Sequence, residues 1–313
     1  MRILIADDSI VSRHLLDATL RKWSYEVIVA CDGLEAWKIL DGGSAPQIAI
    51  LDWIMPGLTG PEVCRRVRER SRDSESAYTY LLLLSSKSHR EDLIEGLESG
   101  ADDYLTKPFD QHELKVRLRA GTRIIDLQRE LLAAREELRD QATKDFLTRL
   151  WNRSSIMEIL HRELARAMRE NRSVGVVLTD LDRFKSINDT YGHFAGDAVL
   201  REFSRRMLAC MRPYDAIGRY GGEEFLIVLP GCDELCTSSQ IERMRAALEG
   251  DPMLINDVRA LVTGSFGATS WRPGAPAQAE NLIRIADAAL YMAKHQGRNR
   301  GVVLPPIAAT GAP

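Results

Sequence analysis

Five polar residues stand where short apolar runs end. Asp7 and Asp8 follow Arg2–Ala6, Asp52 follows Ile48–Leu51, Ser85 follows Leu81–Leu84, and Lys107 follows the pair Tyr104-Leu105. Three carboxylates held close together repel one another unless a cation sits among them, and hard oxygen ligands suit Mg²⁺. The same ion would neutralise a phosphoryl group during transfer to Asp52. Lys107 is placed to meet the charge of an acyl phosphate, and Ser85 to hydrogen-bond one of its oxygens. Polar loop residues after strands account for any one of these positions, but poorly for all five together.

A second acidic set lies further along. Asp180-Leu181-Asp182 closes the strand-like run Val174–Thr179, and Gly221-Gly222-Glu223-Glu224-Phe225 precedes another run through Leu229. Paired glycines suit a tight hairpin because they tolerate positive φ and let a ligand approach the backbone. Carboxylates from the two elements would then hold Mg²⁺ beside a nucleoside triphosphate. On these residues alone a purely structural hairpin reads equally well.

The elements that must carry these groups fall into two sets. The length of 313 residues argues for two cored domains. In the first, continuous apolar strands alternate with helical stretches, the pattern of a doubly wound α/β parallel sheet whose ligands sit beyond the carboxyl ends of the strands. From Ile124, apolar or small residues recur at Leu127, Leu131, Ala134, Leu138 and, less well, Gln141, the seam of a coiled coil or of a long final helix on the first domain. The second unit is α+β: strands at Val174–Thr179, Phe225–Leu229 and Leu261–Phe266, and helices at Ala198–Met207, Ile241–Leu248 and Leu282–Ala293. The expected division is 1–120, a helical linker 121–143, a second domain 144–302 and a tail 303–313.

A net charge of −3 does not favour a nucleic-acid surface. Five scattered cysteines disfavour a disulfide framework, and Cys232 with Cys236 lacks the companions of a metal site. The longest aliphatic run, Leu81–Leu84, is far too short to cross a bilayer, and Asp7 and Asp8 interrupt the only candidate leader, so a cytoplasmic protein without membrane insertion is expected.

Residues 1 to 120 resemble the receiver domain of two-component response regulators: an acidic pair after strand one (Asp7, Asp8), a phosphoacceptor after strand three (Asp52), a hydroxyl after strand four (Ser85) and Lys107-Pro108 after strand five. The resemblance implies a histidine kinase or other phosphodonor as partner, the carbonyl of Ile54 as a further metal ligand, and Tyr104 as the aromatic that turns inward on phosphorylation. The polar stretch Arg72–Tyr80 is longer than the family's usual connection.

Residues 144 to 302 resemble the GGDEF diguanylate cyclase domain, of nucleotidyl-cyclase-like fold. The residues are Asp180-Leu181-Asp182-Arg183-Phe184-Lys185-Ser186-Ile187-Asn188-Asp189, Gly192-His193, Gly196-Asp197, the GGEEF run and Lys294-His295-Gln296-Gly297-Arg298-Asn299. The resemblance implies condensation of two GTP into cyclic di-GMP by a homodimer, one GTP per subunit. Asp180, Glu223 and the carbonyl of Leu181 would bind Mg²⁺, with Mn²⁺ as a substitute. Glu223 would activate the 3′-hydroxyl and Glu224 support metal or ribose. Asn188 and Asp197 would read guanine, and Lys185, Lys294 and Arg298 would neutralise the triphosphate. Arg212-Pro213-Tyr214-Asp215, with Arg243, matches the family's product-inhibition site, and His193 is read as a loop or structural residue. Arg149 stands where the family usually has glycine, which puts the geometry of the junction in question. A non-catalytic nucleotide-binding module would predict losses among these acids and lysines, and none is lost.

Overall fold

The computed structural model describes residues 1–73, 78–86, 90–255, 258–275 and 277–305. Part of the polar stretch Arg72–Tyr80, and the tail beyond residue 305, therefore lie outside the described residues. The chain divides into two compact units, Met1–Glu136 and Glu137–Pro313.

In the first unit, β1 (Arg2–Ala6), β2 (Glu26–Ala30), β3 (Ile48–Asp52), β4 (Tyr80–Ser85) and β5 (Asp103–Thr106) form a parallel sheet in the order β2-β1-β3-β4-β5. Helices α1 (Ile10–Lys22), α2 (Gly33–Asp41), α3 (Gly60–Asp73) and α4 (Arg90–Glu98) alternate with the strands, and α5 (Gln111–Thr143) follows. The sheet is buried on both faces: Leu4, Ala49, Leu51, Leu81 and Leu83 join one core, and Ile3, Ile5, Ile50, Leu82 and Leu84 the other. That is why these strands read as unbroken apolar runs rather than alternating ones. The strand order reverses its direction of growth between β1 and β3, which opens the crevice at their carboxyl ends.

Helix α5 begins on the first unit's core, burying Leu114, Leu118, Gly121 and Ile125, and continues to Thr143 with no buried residue beyond Ile125. Leu127, Leu131 and Leu138 on this free length are between 54 % and 66 % exposed. The long helix and the uncovered seam are thus features of one element.

The second unit is built from α6 (Arg153–Glu170), β6 (Val174–Leu181), α7 (Phe184–Tyr191), α8 (His193–Ala209), β7 (Ala216–Arg219), β8 (Glu224–Pro230), α9 (Glu234–Glu249), β9 (Met253–Ile255), β10 (Val258–Ala260), β11 (Gly264–Trp271), α10 (Ala279–His295) and β12 (Gly301–Val303). The mixed sheet runs β12-β11-β6-β8-β7, with β9 and β10 as a separate hairpin. Period-two alternation divides its faces. Val177, Leu181, Phe225, Ile227 and Phe266 pack with Phe203, Ile241 and Met244, while Val176, Leu178, Leu226 and Val228 pack with Ile156, Leu160, Ala286 and Leu290.

Two expectations are corrected. The strand expected at Leu261–Phe266 begins instead at Gly264 and runs to Trp271, because its small residues pair with the whole of β6. The sequence disfavours a disulfide framework, yet Cys232 and Cys236, four residues apart, form one local bridge. Asp233, the N-cap of α9, accepts the Cys236 N–H at 2.9 Å, and the bridge spans the four residues across this cap. No helix among the described residues is long and apolar enough to cross a membrane.

Candidate functional site

At the carboxyl edge of the parallel sheet, Asp7 is fully buried after β1 and Asp52 ends β3. Lys107 Nζ lies 2.7 Å from Asp7 Oδ2 and 2.9 Å from Asp52 Oδ1. Oxygens of Asp7, Asp8 and Asp52 all lie within 4.8 Å of one another. Burial pushes the Asp52 carboxyl above its ordinary value, by more than the Lys107 contact pulls it down. Burial also disfavours the Lys107 ammonium, but hydrogen bonds to Asp7 and Asp52 outweigh that and raise its pKa. Three convergent acids with one lysine among them fit a divalent cation, since hard oxygen donors dominate the set. The side chain of Ser85, the last residue of β4, is buried, Tyr104 on β5 is half-buried, and Ile54 is exposed beside the acids. All of these expected positions except Tyr104 lie at the ends of strands or in the loops that follow.

In the second unit, β6 pairs with β8 so that Asp180 stands opposite Glu224, and the Leu181 N–H reaches the Glu223 carbonyl at 3.4 Å. The acids of β6 and of the GGEEF turn therefore share one edge. Lys294, in the last turn of α10, places Nζ 2.7 Å from Asp180 Oδ2. Burial raises the Asp180 carboxyl, partly offset by Lys294, and the Asp182 charge raises it further. Burial and then the Asp180 charge raise Glu223. Acids that push one another up in this way fit a cation, whose charge would relieve the repulsion. Among the described residues only the Asp7–Asp8–Asp52 group converges within 4.8 Å; the acids around Asp180 do not meet that spacing.

The paired glycines work differently from expectation. Neither Gly221 nor Gly222 has positive φ. A Cβ on Gly221 would lie 2.6 Å from Glu224 Oε2, whereas one on Gly222 would meet nothing within 4 Å. Close approach of Glu224, and open space at Gly222, are what glycine provides here. On α7, Lys185 is exposed and Asn188 half-buried, and a Cβ on Gly196 would lie 1.9 Å from Asn188 Oδ1. The carboxamide thus rests on the first turn of α8, one residue from half-buried Asp197. His193 is exposed at the start of that helix.

Arg212 and Asp215 form a tight turn, the Arg212 N–H donating to Asp215 Oδ2 at 2.8 Å. Asp215 Oδ1 is buried without a hydrogen-bond partner, and burial raises this carboxyl against the pull of Arg212 and Arg243. Arg243 donates to the Cys210 carbonyl, so α9 brings it to the same place. Arg212, Tyr214 and Asp215 line a cavity of about 630 Å³ that Arg162, Arg166 and Arg172 also border.

Two polar links carried no role in the sequence reading. Arg219 joins Asp145 to the Gly222 carbonyl, and Asp182 accepts from Thr263, Ser265 and the backbone of Asn299. The alternation Asp180-Leu181-Asp182 hints that both acids share a strand face, but their partners are too distant in sequence to be read there.

The family described as "Diguanylate cyclase, GGDEF domain" matches residues 142–300, and "Response regulator receiver domain" matches residues 3–119. The chain belongs to the GGDEF diguanylate cyclase family, with a response regulator receiver domain ahead of the GGDEF domain. It is similar to diguanylate cyclase DosC of Escherichia coli K12, 41 % identical over 180 residues that span 57 % of this chain and 38 % of DosC. The response regulator PleD of Caulobacter vibrioides is 32 % identical over 305 residues, 95 % of this chain and 64 % of PleD. The chain thus covers less than two thirds of either protein. Among solved structures, the coiled coil and GGDEF domain of DgcB from Caulobacter crescentus, in complex with c-di-GMP, matches with a TM-score of 0.54 and 30 % identity, covering 61 % of this chain and 99 % of that one.

Proposed function

We propose that this protein condenses two molecules of GTP into cyclic di-GMP, releasing two pyrophosphates, and that phosphorylation of Asp52 controls the reaction. The observation that carries the reading is the β6–β8 register, which sets Asp180 against the GGEEF turn with Lys294 on its carboxylate. Asp180, Glu223 and the Leu181 carbonyl hold Mg²⁺, which supplies charge neutralisation at the phosphates. Lys185, Lys294 and Arg298 bind the triphosphate, and Lys294 leaves Asp180 for a phosphate oxygen. Asp197 accepts from the N1 and N2 donors of guanine, and Asn188 hydrogen-bonds the same edge. Glu223 takes the proton of the 3′-hydroxyl, which attacks the α-phosphorus of the other subunit's GTP in line, and the bond to pyrophosphate breaks. Glu224 supports the metal or ribose. Positioning and charge stabilisation provide most of the rate.

One subunit holds one GTP, so the active species is a homodimer, joined along the exposed seam of α5. In the receiver, Asp7, Asp8, Asp52 and the Ile54 carbonyl hold Mg²⁺, and Lys107 and Ser85 meet the acyl phosphate. Tyr104 turns inward as the phosphorylated state forms, shifting the population toward the productive dimer. Product binds at Arg212, Asp215 and Arg243 and slows its own synthesis. The proposed domains are 1–120, 121–143 and 144–302, with a tail at 303–313.

The test is a chromatographic time course of GTP and cyclic di-GMP with Mg²⁺ and pyrophosphatase, with and without beryllium fluoride as acyl-phosphate mimic. Product that rises with the mimic is expected. Product insensitive to it keeps the enzyme and removes receiver control, while folded protein that makes none points to a binding module. Loss of product inhibition in Arg212→Ala tests the feedback site.

A further inference from the structure

The loop after α10 holds consecutive non-glycine residues in the left-handed backbone region. Arg298 has φ 64° and Asn299 φ 46°, after Gly297 at 118°. Asparagine tolerates this region; arginine enters it seldom. Such a conformation persists only where the surroundings over-determine it.

Two elements meet on Asn299. Its backbone N–H donates to Asp182 Oδ2 at 3.0 Å, beyond the end of β6. Its Nδ2 donates to Glu249 Oε1 at 2.9 Å, and Arg245 Nη1 donates to its Oδ1 at 3.3 Å, both from α9. Asp182 is itself buried and accepts from Thr263 Oγ1 at 2.8 Å and Ser265 Oγ at 2.7 Å. Both carboxylate oxygens are therefore taken up by donors, which leaves Asp182 poorly placed to bind metal. A buried carboxylate beside a site for a polyanion also opposes binding by its charge. Its use must lie in what it holds. Arg298, the residue next to this grip, lines a cavity together with Asp182, Arg183 and Ser186.

We propose that Asp182 and Glu249, acting through Asn299, are positioning residues that fix the strained turn and aim Arg298 at the GTP triphosphate. The inference rests on the reading of Arg298 as a phosphate ligand. A merely structural staple would lower folded protein without regard to Arg298, so the two roles separate in double variants.

The experiment is steady-state GTP turnover by the full chain with Mg²⁺. Asp182→Ala and Asn299→Ala are each expected to lower kcat/KM by about tenfold to hundredfold, the range for lost hydrogen bonds to charged groups. In an Arg298→Ala background the same changes should cost less than about threefold more, because the group they aim is gone. In a Lys185→Ala background they should keep their full effect. Asp182→Asn should rescue much of the loss, since its carboxamide oxygen can face Asn299 while its NH₂ faces the Ser265 oxygen. If Asp182→Ala fails to fold, Asn299→Ala and Glu249→Ala carry the same comparison. Losses that multiply equally in both backgrounds overturn the positioning role and leave the cyclase reading standing. An Arg298→Ala enzyme with unchanged kinetics removes the phosphate assignment and the proposal with it. A wild-type chain that forms no cyclic di-GMP removes the functional reading beneath both.

Discussion

Arg219 Nη1 lies 3.2 Å from each carboxylate oxygen of Asp145, and the same guanidinium donates to the Gly222 carbonyl at 3.0 and 2.7 Å. Asp145 follows the end of α5 and Gly222 lies in the GGEEF turn, so one side chain joins the junction to the GGEEF hairpin. Thr148 orients the acid through its backbone N–H at 2.8 Å and its hydroxyl at 2.7 Å. Arg149, at φ 59°, closes the same turn and pairs with Asp140 on α5. The substitution that put the junction in question thus occupies the left-handed conformation glycine would take, and adds an ion pair to the helix.

This tie should show in acid. Burial pushes the Asp145 carboxyl up, but the hydrogen bonds from Thr148 and the charge of Arg219 outweigh it and hold the group below its ordinary value of 3.8. A depressed folded pKa gives stability that is full above the unfolded value and is lost as pH falls through the folded one. Asp145→Asn should therefore cost about 1–2 kcal/mol at neutral pH, and the gap from wild type should narrow below about pH 4. Denaturant midpoints at several pH values measure it; a gap constant down to pH 3 would show that the charge contributes nothing.

Gly196 should be intolerant of even a methyl group. Its missing Cβ is the space taken by Asn188 Oδ1, and Phe184 Cζ would lie 3.1 Å from an added carbon. Gly196→Ala must displace the carboxamide from its seat, since overpacking a tight contact costs about 1–3 kcal/mol. Under the proposed guanine role, KM for GTP should rise about tenfold or more as the base loses a hydrogen-bonding partner. The receiver's response to Mg²⁺ should not change. Unaltered GTP kinetics would remove Asn188 from base recognition.

Much of the receiver was legible because burial on both faces makes each parallel strand an apolar run, and each run points to its terminal polar residue. Asp7, Asp52, Ser85 and Lys107 follow from that rule. The second unit hid more. Strand β11 reads GSFGATSW, small and without alternation, because all its residues are buried. Short elements such as β7 and β12 carry too few residues for a period to register. The contrast between Asp180 and Asp182 was invisible: what separates them is a pair of hydroxyls from Thr263 and Ser265, 81 and 83 residues away.

Lys107 and a divalent cation should compete in the receiver. The ammonium already lies within 2.9 Å of Asp7 and Asp52, so it occupies part of the field a metal would use. Lys107→Ala should tighten Mg²⁺ binding about threefold to tenfold, because a like charge near the site is removed, while abolishing the response to beryllium fluoride. Trp53 offers the readout, its backbone N–H donating to Asp52 Oδ1 at 2.9 Å and its ring buried. Titrations of wild type, Lys107→Ala and a Trp53→Phe control would check it. Weaker Mg²⁺ binding in Lys107→Ala would mean that the lysine organises the acids instead of competing for them.

The free length of α5 yields the last prediction. Leu127, Leu131 and Leu138 repeat at heptad spacing and stay largely exposed, whereas Leu114 and Leu118 on the same helix are buried. Exposed leucines in register gain burial when a second copy of the helix packs against them, and two subunits are what the proposed chemistry requires. Leu131→Glu with Leu138→Glu places like charges in that seam and should leave the chain monomeric by light scattering. Thermal unfolding of either unit should hardly change, since neither side chain enters a core. Cyclic di-GMP formation at low micromolar protein should fall by about a hundredfold, the loss expected when about 3 kcal/mol of association is removed, and should recover in part at high concentration. A double variant that remains dimeric and fully active would place the productive contact elsewhere than on α5.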